Sequence, residues 1–200
     1  QYITIIRPDG LARSYSVARL PEEDVLDLHV RLIPGGRMSG WLHHDACVGD
    51  RVATLGPTGE CFCVPGKEDQ PLLLAGTGTG LAPLWGVLRD ALRGGHRGPI
   101  HVFHGAVHAE GLYLCDELRG LAAAHEHVCY TPVLLNGDPV PGAVIGAIDK
   151  VIQERIPKLA GWRAYLAGDP DIVRSLKMQL FLAGAGSREI FADAFLHSAA

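Results

Sequence analysis

Long apolar runs are missing from this chain. Its apolar stretches, such as residues 71–75 and 121–124, fall far short of the ~20 residues a membrane-spanning helix needs. An excess of positive charge is missing too. With 18 Lys+Arg against 22 Asp+Glu the net charge is −4, and no Lys/Arg cluster offsets it. That argues against a sequence-independent grip on nucleic acid. The opening Gln1-Tyr2-Ile3-Thr4-Ile5-Ile6 has neither Met nor a basic stretch, so no signal peptide is expected there. The five cysteines, Cys47, Cys61, Cys63, Cys115 and Cys129, are odd in number and follow no disulfide-framework rhythm. Neither zinc-finger spacing nor a plant-type iron–sulfur run is present, so no metal site is expected. Reduced, buried thiols and a cytoplasmic location are the expectation.

What the chain does have is punctuation. Its 25 Gly and 13 Pro fall as short breaks between apolar segments, as many turns require. Two rhythms follow one another. Over residues 1–66, short segments lie between the turns Pro8-Asp9-Gly10, Pro34-Gly35-Gly36 and Gly56-Pro57-Thr58-Gly59. Strands are expected at residues 2–7, 13–18, 52–55 and 61–64. Leu26, Leu28, Val30 and Leu32 alternate with polar residues and predict a half-buried antiparallel strand. A short helix is expected over residues 39–44, with Ser39 as its N-cap. The polar stretch from Pro65 to Gln70 reads as a linker.

Over residues 67–200 strands and helices alternate. Apolar strands are expected at 72–75, 100–104, 128–135, 164–167 and 189–191, with helices near 81–93, 113–124, 145–155 and 171–182. Repeated βα units imply a parallel sheet with helices on both faces. The fold class expected is therefore a Rossmann-like α/β domain with a five-stranded parallel sheet, preceded by a partial antiparallel β-barrel.

The strongest local motif is Gly76-Thr77-Gly78-Thr79-Gly80-Leu81-Ala82-Pro83, between an apolar strand and an amphipathic helix. Glycines let backbone come close to a pyrophosphate, and a helix N-terminus offers free N–H groups and a favourable dipole. No Lys-Ser/Thr pair follows, which disfavours a triphosphate P-loop. The next strand ends His104-Gly105-Ala106-Val107-His108, with no acid before Glu110. The usual dehydrogenase fingerprint, an acid holding the ribose, is thus incomplete.

Several further motifs stand in one order along the chain. Arg13-Ser14-Tyr15-Ser16 resembles the flavin signature of the ferredoxin–NADP reductase superfamily. Gly35-Gly36-Arg37-Met38-Ser39 resembles its second flavin-phosphate segment, and Gly56-Pro57-Thr58-Gly59 the turn closing its barrel. Gly76 to Pro83 resembles its nicotinamide-nucleotide loop, and Tyr165-Leu166-Ala167-Gly168-Asp169-Pro170 its Tyr-x-Cys-Gly-x-Pro segment, with Ala167 in place of Cys. The ending Phe191-Ala192-Asp193-Ala194-Phe195 resembles its acid-x-aromatic close. Within the superfamily the chain resembles the reductase components of bacterial oxygenases.

The resemblance implies FAD and NAD(P)H as cofactors and an electron-acceptor protein as partner. It implies that Arg13 pairs with the flavin pyrophosphate through a forked, permanent charge, while Tyr15 packs on the flavin. Ser16 would donate to the edge that receives hydride. Asp193, matching the family's terminal acid, is the second catalytic residue implied, and Phe195 would cover the flavin face. Ser14 and the amides of Gly36, Arg37, Met38 and Ser39 would complete the flavin set. Gly76, Thr77, Gly78, Thr79, Gly80, Pro83, Gly168, Asp169 and Pro170 would hold the nicotinamide nucleotide. Ala106-Val107 supplies no base for a 2′-phosphate, and His108 alone stands nearby, so NADH is expected over NADPH. His101 and His104 face opposite sides of a strand by its period of two, so with His108 they read as ordinary sheet and loop residues. The same reading holds for His43-His44, and Trp85 and Trp162 read as core.

The family's barrel has more strands than residues 1–66 supply. Three expectations follow from the resemblance: a fragment, a barrel completed by another subunit or a second copy in a homodimer, or impaired flavin binding. The function expected is an FAD-dependent NAD(P)H oxidoreductase passing electrons to an iron–sulfur protein or oxygenase. The alternative is a non-catalytic nucleotide-binding or regulatory module.

Overall fold

The computed structural model describes residues 1–20, 22–64, 66–137 and 140–195. Pro65, expected in the linker, lies outside the described residues.

Residues 1–64 supply a three-stranded antiparallel sheet in the order β2-β1-β3. β1 (Tyr2–Ile6) is central, flanked by β2 (Ala12–Ser16) and β3 (Ala53–Thr58). Every second residue of β1 points inward, so Ile3 and Ile5 are buried and meet Met38 from helix α1 (Arg37–His44). Cover is thin beyond that. All six residues of β3 are exposed.

Four local expectations are corrected here. Residues 26–32 carry a strand pattern, but this segment makes only a bridge between Val17 and Leu28. Alternation predicts an extended chain, whereas a ladder also needs neighbours in register. Residues 61–64 are likewise unpaired coil. Helix α1 starts earlier than expected, with Gly36 as its N-cap. Ser39 lies inside the helix, where its hydroxyl accepts from the Ile33 N–H at 3.1 Å. Among the cysteines Cys61 is buried, three are half-buried, and Cys47 is exposed rather than buried.

The second sheet is parallel, in the order β7-β6-β5-β4-β8-β9. Its strands are β4 (Leu72–Thr77), β5 (Ile100–Ala106), β6 (Val128–Leu134), β7 (Val144–Ile145), β8 (Arg163–Gly168) and β9 (Ile190–Ala194). The two-residue β7 joins the five expected strands at one edge, pairing with Val133 and Leu134. It includes Ile145, expected to begin a helix, which starts later as α4 (Ile148–Arg155). The other helices are α2 (Leu81–Arg93), α3 (Cys115–Ala124) and α5 (Pro170–Leu182). Helix α3 begins after Leu114, whose φ of 54° breaks the regular helix expected from residue 113.

Two core clusters occupy the two faces of this sheet. Leu73, Ala75 and Phe103 pack on one face with Ile148, Val151, Val173 and Leu176 of α4 and α5. Leu72, Leu74 and Val102 pack on the other with Leu81, Leu84, Val87 and Leu88 of α2, and Leu118 of α3. Strand β4 is buried on both faces, which explains its unbroken apolar sequence. It lies between β5 and β8, where the chain crosses from one half of the sheet to the other. The carboxyl ends of strands at such a switch point frame a crevice.

Candidate functional site

The crevice is built from two loops pressed together. After β4, Gly78–Gly80 form a single 3-10 turn that leads into α2, with no side chain capping this end. A Cβ at Gly80 would strike the Ala167 carbonyl and come within 2.8 Å of the Gly168 Cα. A Cβ at Gly168, whose φ is +120°, would lie 2.7 Å from the Thr77 carbonyl oxygen. Thr77 ties the loops by accepting the Asp169 N–H on Oγ1 at 3.0 Å. Asp169 then caps α5, its carboxylate accepting from the N–H groups of Asp171 and Ile172, with Pro170 in the first turn. Gly78 differs from the other two. Its φ is +52°, and a Cβ there would meet nothing within 4 Å, so its outer face lies open for a ligand to approach. Pro83 is buried in the first turn of α2, where its missing N–H costs no helical hydrogen bond.

The flavin-type motif runs along β2. Ser14 is exposed, with its hydroxyl 3.0 Å from that of Thr4. Arg13 and Tyr15 are half-buried, and Arg13 donates to its neighbouring Ala12 carbonyl at 2.7 Å. Tyr15 leans on the Ile3, Ile5 and Met38 cluster, and burial raises its phenol pKa. In the second segment Gly36 and Arg37 open α1, and the Arg37 side chain is exposed and bonds Asp9 at 3.0 Å. Met38 and Ser39 are buried. Their side chains serve the core, leaving the backbone as what this segment can offer a ligand.

The two halves meet at Ser16. Its hydroxyl donates to Oδ2 of Asp193 at 3.0 Å, across a sequence separation of 177 residues. Asp193 sits on β9 opposite Ala167, and just beyond it the Phe195 N–H donates to the Gly168 carbonyl at 2.8 Å. Of the expected residues, Ser16, Asp193, Phe195 and Gly168 thus meet at one seam, whereas among the described residues Arg13, Ser14 and Tyr15 contact only their own half.

Other contacts along this seam had no motif to reveal them. The His29 Nδ1 lies 2.8 Å from the Tyr113 hydroxyl. Arg89 on α2 grips Glu23 at 2.7 Å, and Arg19 approaches the same carboxylate. That grip holds the Glu23 carboxyl down near pKa 2. Arg163 is buried at 8 % exposure between Glu189, at 2.6 Å, and the Val64 carbonyl, at 2.7 Å. The Val64 N–H in turn donates to the Tyr165 hydroxyl at 3.0 Å.

The three histidines of β5 and its following loop do not converge. His101 packs edge-on to Trp162, His104 is fully buried, and His108 is exposed. Trp85 and Trp162 are half-buried and pack against the core.

Family models match both halves: an oxidoreductase FAD-binding domain over residues 1–62 and an oxidoreductase NAD-binding domain over residues 74–178. The chain belongs to the FAD- and NAD-binding oxidoreductases. It is 36% identical over 195 residues to the ferredoxin–NAD(P)+ reductase component of a Pseudomonas putida naphthalene 1,2-dioxygenase system, covering 98% of this chain and 59% of that protein. It is 37% identical over 180 residues to the reductase subunit of an Amycolatopsis aromatic O-demethylase, covering 88% and 54%. Among solved structures, an Amycolatopsis cytochrome P450 reductase superposes with a TM-score of 0.90 at 33% identity, covering 98% of this chain and 60% of that one. The chain therefore spans about three-fifths of the length of these relatives.

Proposed function

We propose that this chain is the electron-entry part of an FAD-dependent NAD(P)H oxidoreductase that delivers electrons to a protein acceptor, an iron–sulfur protein or an oxygenase. The observation that carries the reading is the Ser16–Asp193 hydrogen bond. It joins the flavin-type strand to the strand beside the nucleotide loops, where two cofactors would have to meet. The naming of relatives as reductase components supports it. In this reading residues 1–66 are the flavin part and residues 67–200 the nucleotide-binding domain, and the protein works in the cytoplasm.

The residues present fit both groups. The open face of Gly78 and the uncapped start of α2 offer amides to a pyrophosphate. Arg13, turned onto its own backbone, is a guanidinium free to rotate toward a flavin phosphate. When bound, NADH supplies a hydride and FAD accepts it, to be released as single electrons. The protein's part is placement. Ser16 has one hydroxyl proton, now given to Asp193; turning it to a flavin edge exchanges one acceptor for another without moving backbone. Asp193 holds that hydroxyl in register until then, and Phe195 would cover the flavin face. Gly80 and Gly168 let the two loops close to van der Waals contact, fixing the shape of the nucleotide loop. NADH is favoured over NADPH, because Ala106 and Val107 at the end of β5 offer no cation.

The exposure of all six β3 residues favours a second reading, a nucleotide-binding module that turns nothing over. In the first reading that strand takes further strands, from a longer chain or from a second copy in a homodimer. One experiment separates the two. Purified protein mixed with FAD is expected to show a bound flavin spectrum and to oxidise NADH with ferricyanide. Arg13→Ala should then lose roughly 1.5–3 kcal/mol of FAD affinity, as for a hydrogen bond to a charged group. Protein that stays colourless and leaves NADH untouched would sink the oxidoreductase reading for this chain.

A further inference from the structure

His104 is a polar ring in an apolar place. It is fully buried on β5, between Phe103 and Gly105 near the carboxyl end of a central strand. Its Nε2 lies 3.1 Å from the Gly78 carbonyl oxygen. A carbonyl only accepts, so Nε2 carries the proton and Nδ1 is left as a bare lone pair. That Nδ1 is buried and has no hydrogen-bond partner among the described residues. The ring of Tyr113 lies edge-on to the imidazole, with centroids 5.4 Å apart at 87°. Burial pushes the His104 pKa down to about 4, so the ring is neutral at ordinary pH. An orphaned nitrogen in a core is costly, and a Phe or Leu would fill this space without it. Among the described residues, the contact that repays the polarity is the bond to Gly78.

We propose that His104 is a positioning residue for the nicotinamide-nucleotide loop, setting the orientation of the peptide between Gly78 and Thr79. This rests on the reading of that loop as the NADH site. In a trans peptide the carbonyl and the following N–H point in opposite directions. Holding the Gly78 carbonyl inward, toward β5, turns the Thr79 N–H outward to the open side of the turn. The left-handed Gly78, at φ +52°, is the residue that permits the geometry. Leu81 donates its N–H to the same carbonyl, so the oxygen is held from two directions. Without the imidazole donor the Leu81 N–H alone holds the oxygen, and the Thr79 amide is less firmly set for a phosphate oxygen.

The test compares His104→Phe, which keeps bulk and loses the donor, with His104→Gln, whose amide nitrogen can reach the place of Nε2. NADH binding is read by fluorescence titration, and hydrogen exchange is followed over residues 76–81. His104→Phe is expected to weaken NADH binding roughly tenfold, on the scale of one lost hydrogen bond, and to speed exchange in the loop. His104→Gln is expected to stay within about threefold of the parent. With FAD and ferricyanide, the loss in His104→Phe should fall on the KM for NADH and leave kcat and FAD affinity in place. Equal binding by the parent and His104→Phe overturns the proposal while the NADH reading stands. So does a His104→Gln as weak as His104→Phe, or loop exchange that neither variant changes. A parent chain that binds no NADH overturns both together.

Discussion

Two strands of similar length show how differently the halves of this molecule are built. β4 has a neighbour on each side and a helical layer on each face, and its first five residues are buried. Among the described residues β3 pairs with β1 alone, and all six of its residues are exposed. The nucleotide half therefore carries two large core clusters, whereas the flavin half has one small cluster whose buried residues are Ile3, Ile5 and Met38. A strand's own sequence does not decide its burial; the layers above and below it do.

The largest test of this contrast is a pair of truncations. Leu74→Ala, at a site with no exposure, should cost about 2–5 kcal/mol of unfolding free energy. Leu55→Ala on β3, 63% exposed, should change it by no more than about 0.5 kcal/mol. Urea denaturation measures both, and equal losses would mean that β3 is covered in solution. At the seam, Ser16→Ala removes a hydrogen bond to a carboxylate worth ~1.5–3 kcal/mol. In stopped-flow measurements with FAD it should slow hydride transfer about 10- to 100-fold, with the NADH dissociation constant unchanged. An unaltered rate would reduce the Ser16–Asp193 contact to a structural tie.

Gly80→Ala sets a Cβ against the Ala167 carbonyl, so the two loops must part. About 1–3 kcal/mol of stability should go with it, on the scale of overpacking, together with NADH binding; retained binding would show that the loops need not touch.

The smallest effect concerns acid. The Glu23 pKa lies near 2, below its usual 4.5, because Arg89 and the Leu20 N–H bond the carboxylate. A lowered folded-state value gives stability that is present above pH 4.5 and is lost as pH falls toward 2. The gap between parent and Glu23→Gln midpoints should therefore be widest above pH 4.5 and close toward pH 2. A gap that does not change with pH would remove this ion pair from the seam.

Much of the nucleotide half is legible in the sequence because its rules are local. An apolar run, a glycine turn and a periodic helix mark β4, Gly76–Gly80 and α2 without knowledge of the rest. The flavin half is less legible. Residues 26–32 have a strand's alternation but only a single bridge, because pairing depends on distant chain. Ser39 looks like a cap, yet the helix begins at Arg37 and the hydroxyl turns to Ile33 instead. His104 carries no motif, since one histidine in a strand says nothing about which loop folds over it.

By itself the sequence determined where chain can turn, which segments are apolar on one face or both, and where backbone can come close to a phosphate. Those are properties of short windows, set by side-chain shape and by the freedom of glycine. Tertiary structure alone decided that Ser16 meets Asp193, that His104 reaches Gly78 and that Glu23 lies under Arg89. Such pairs are set by the packing of sheets and helices, which brings together residues that no local pattern connects.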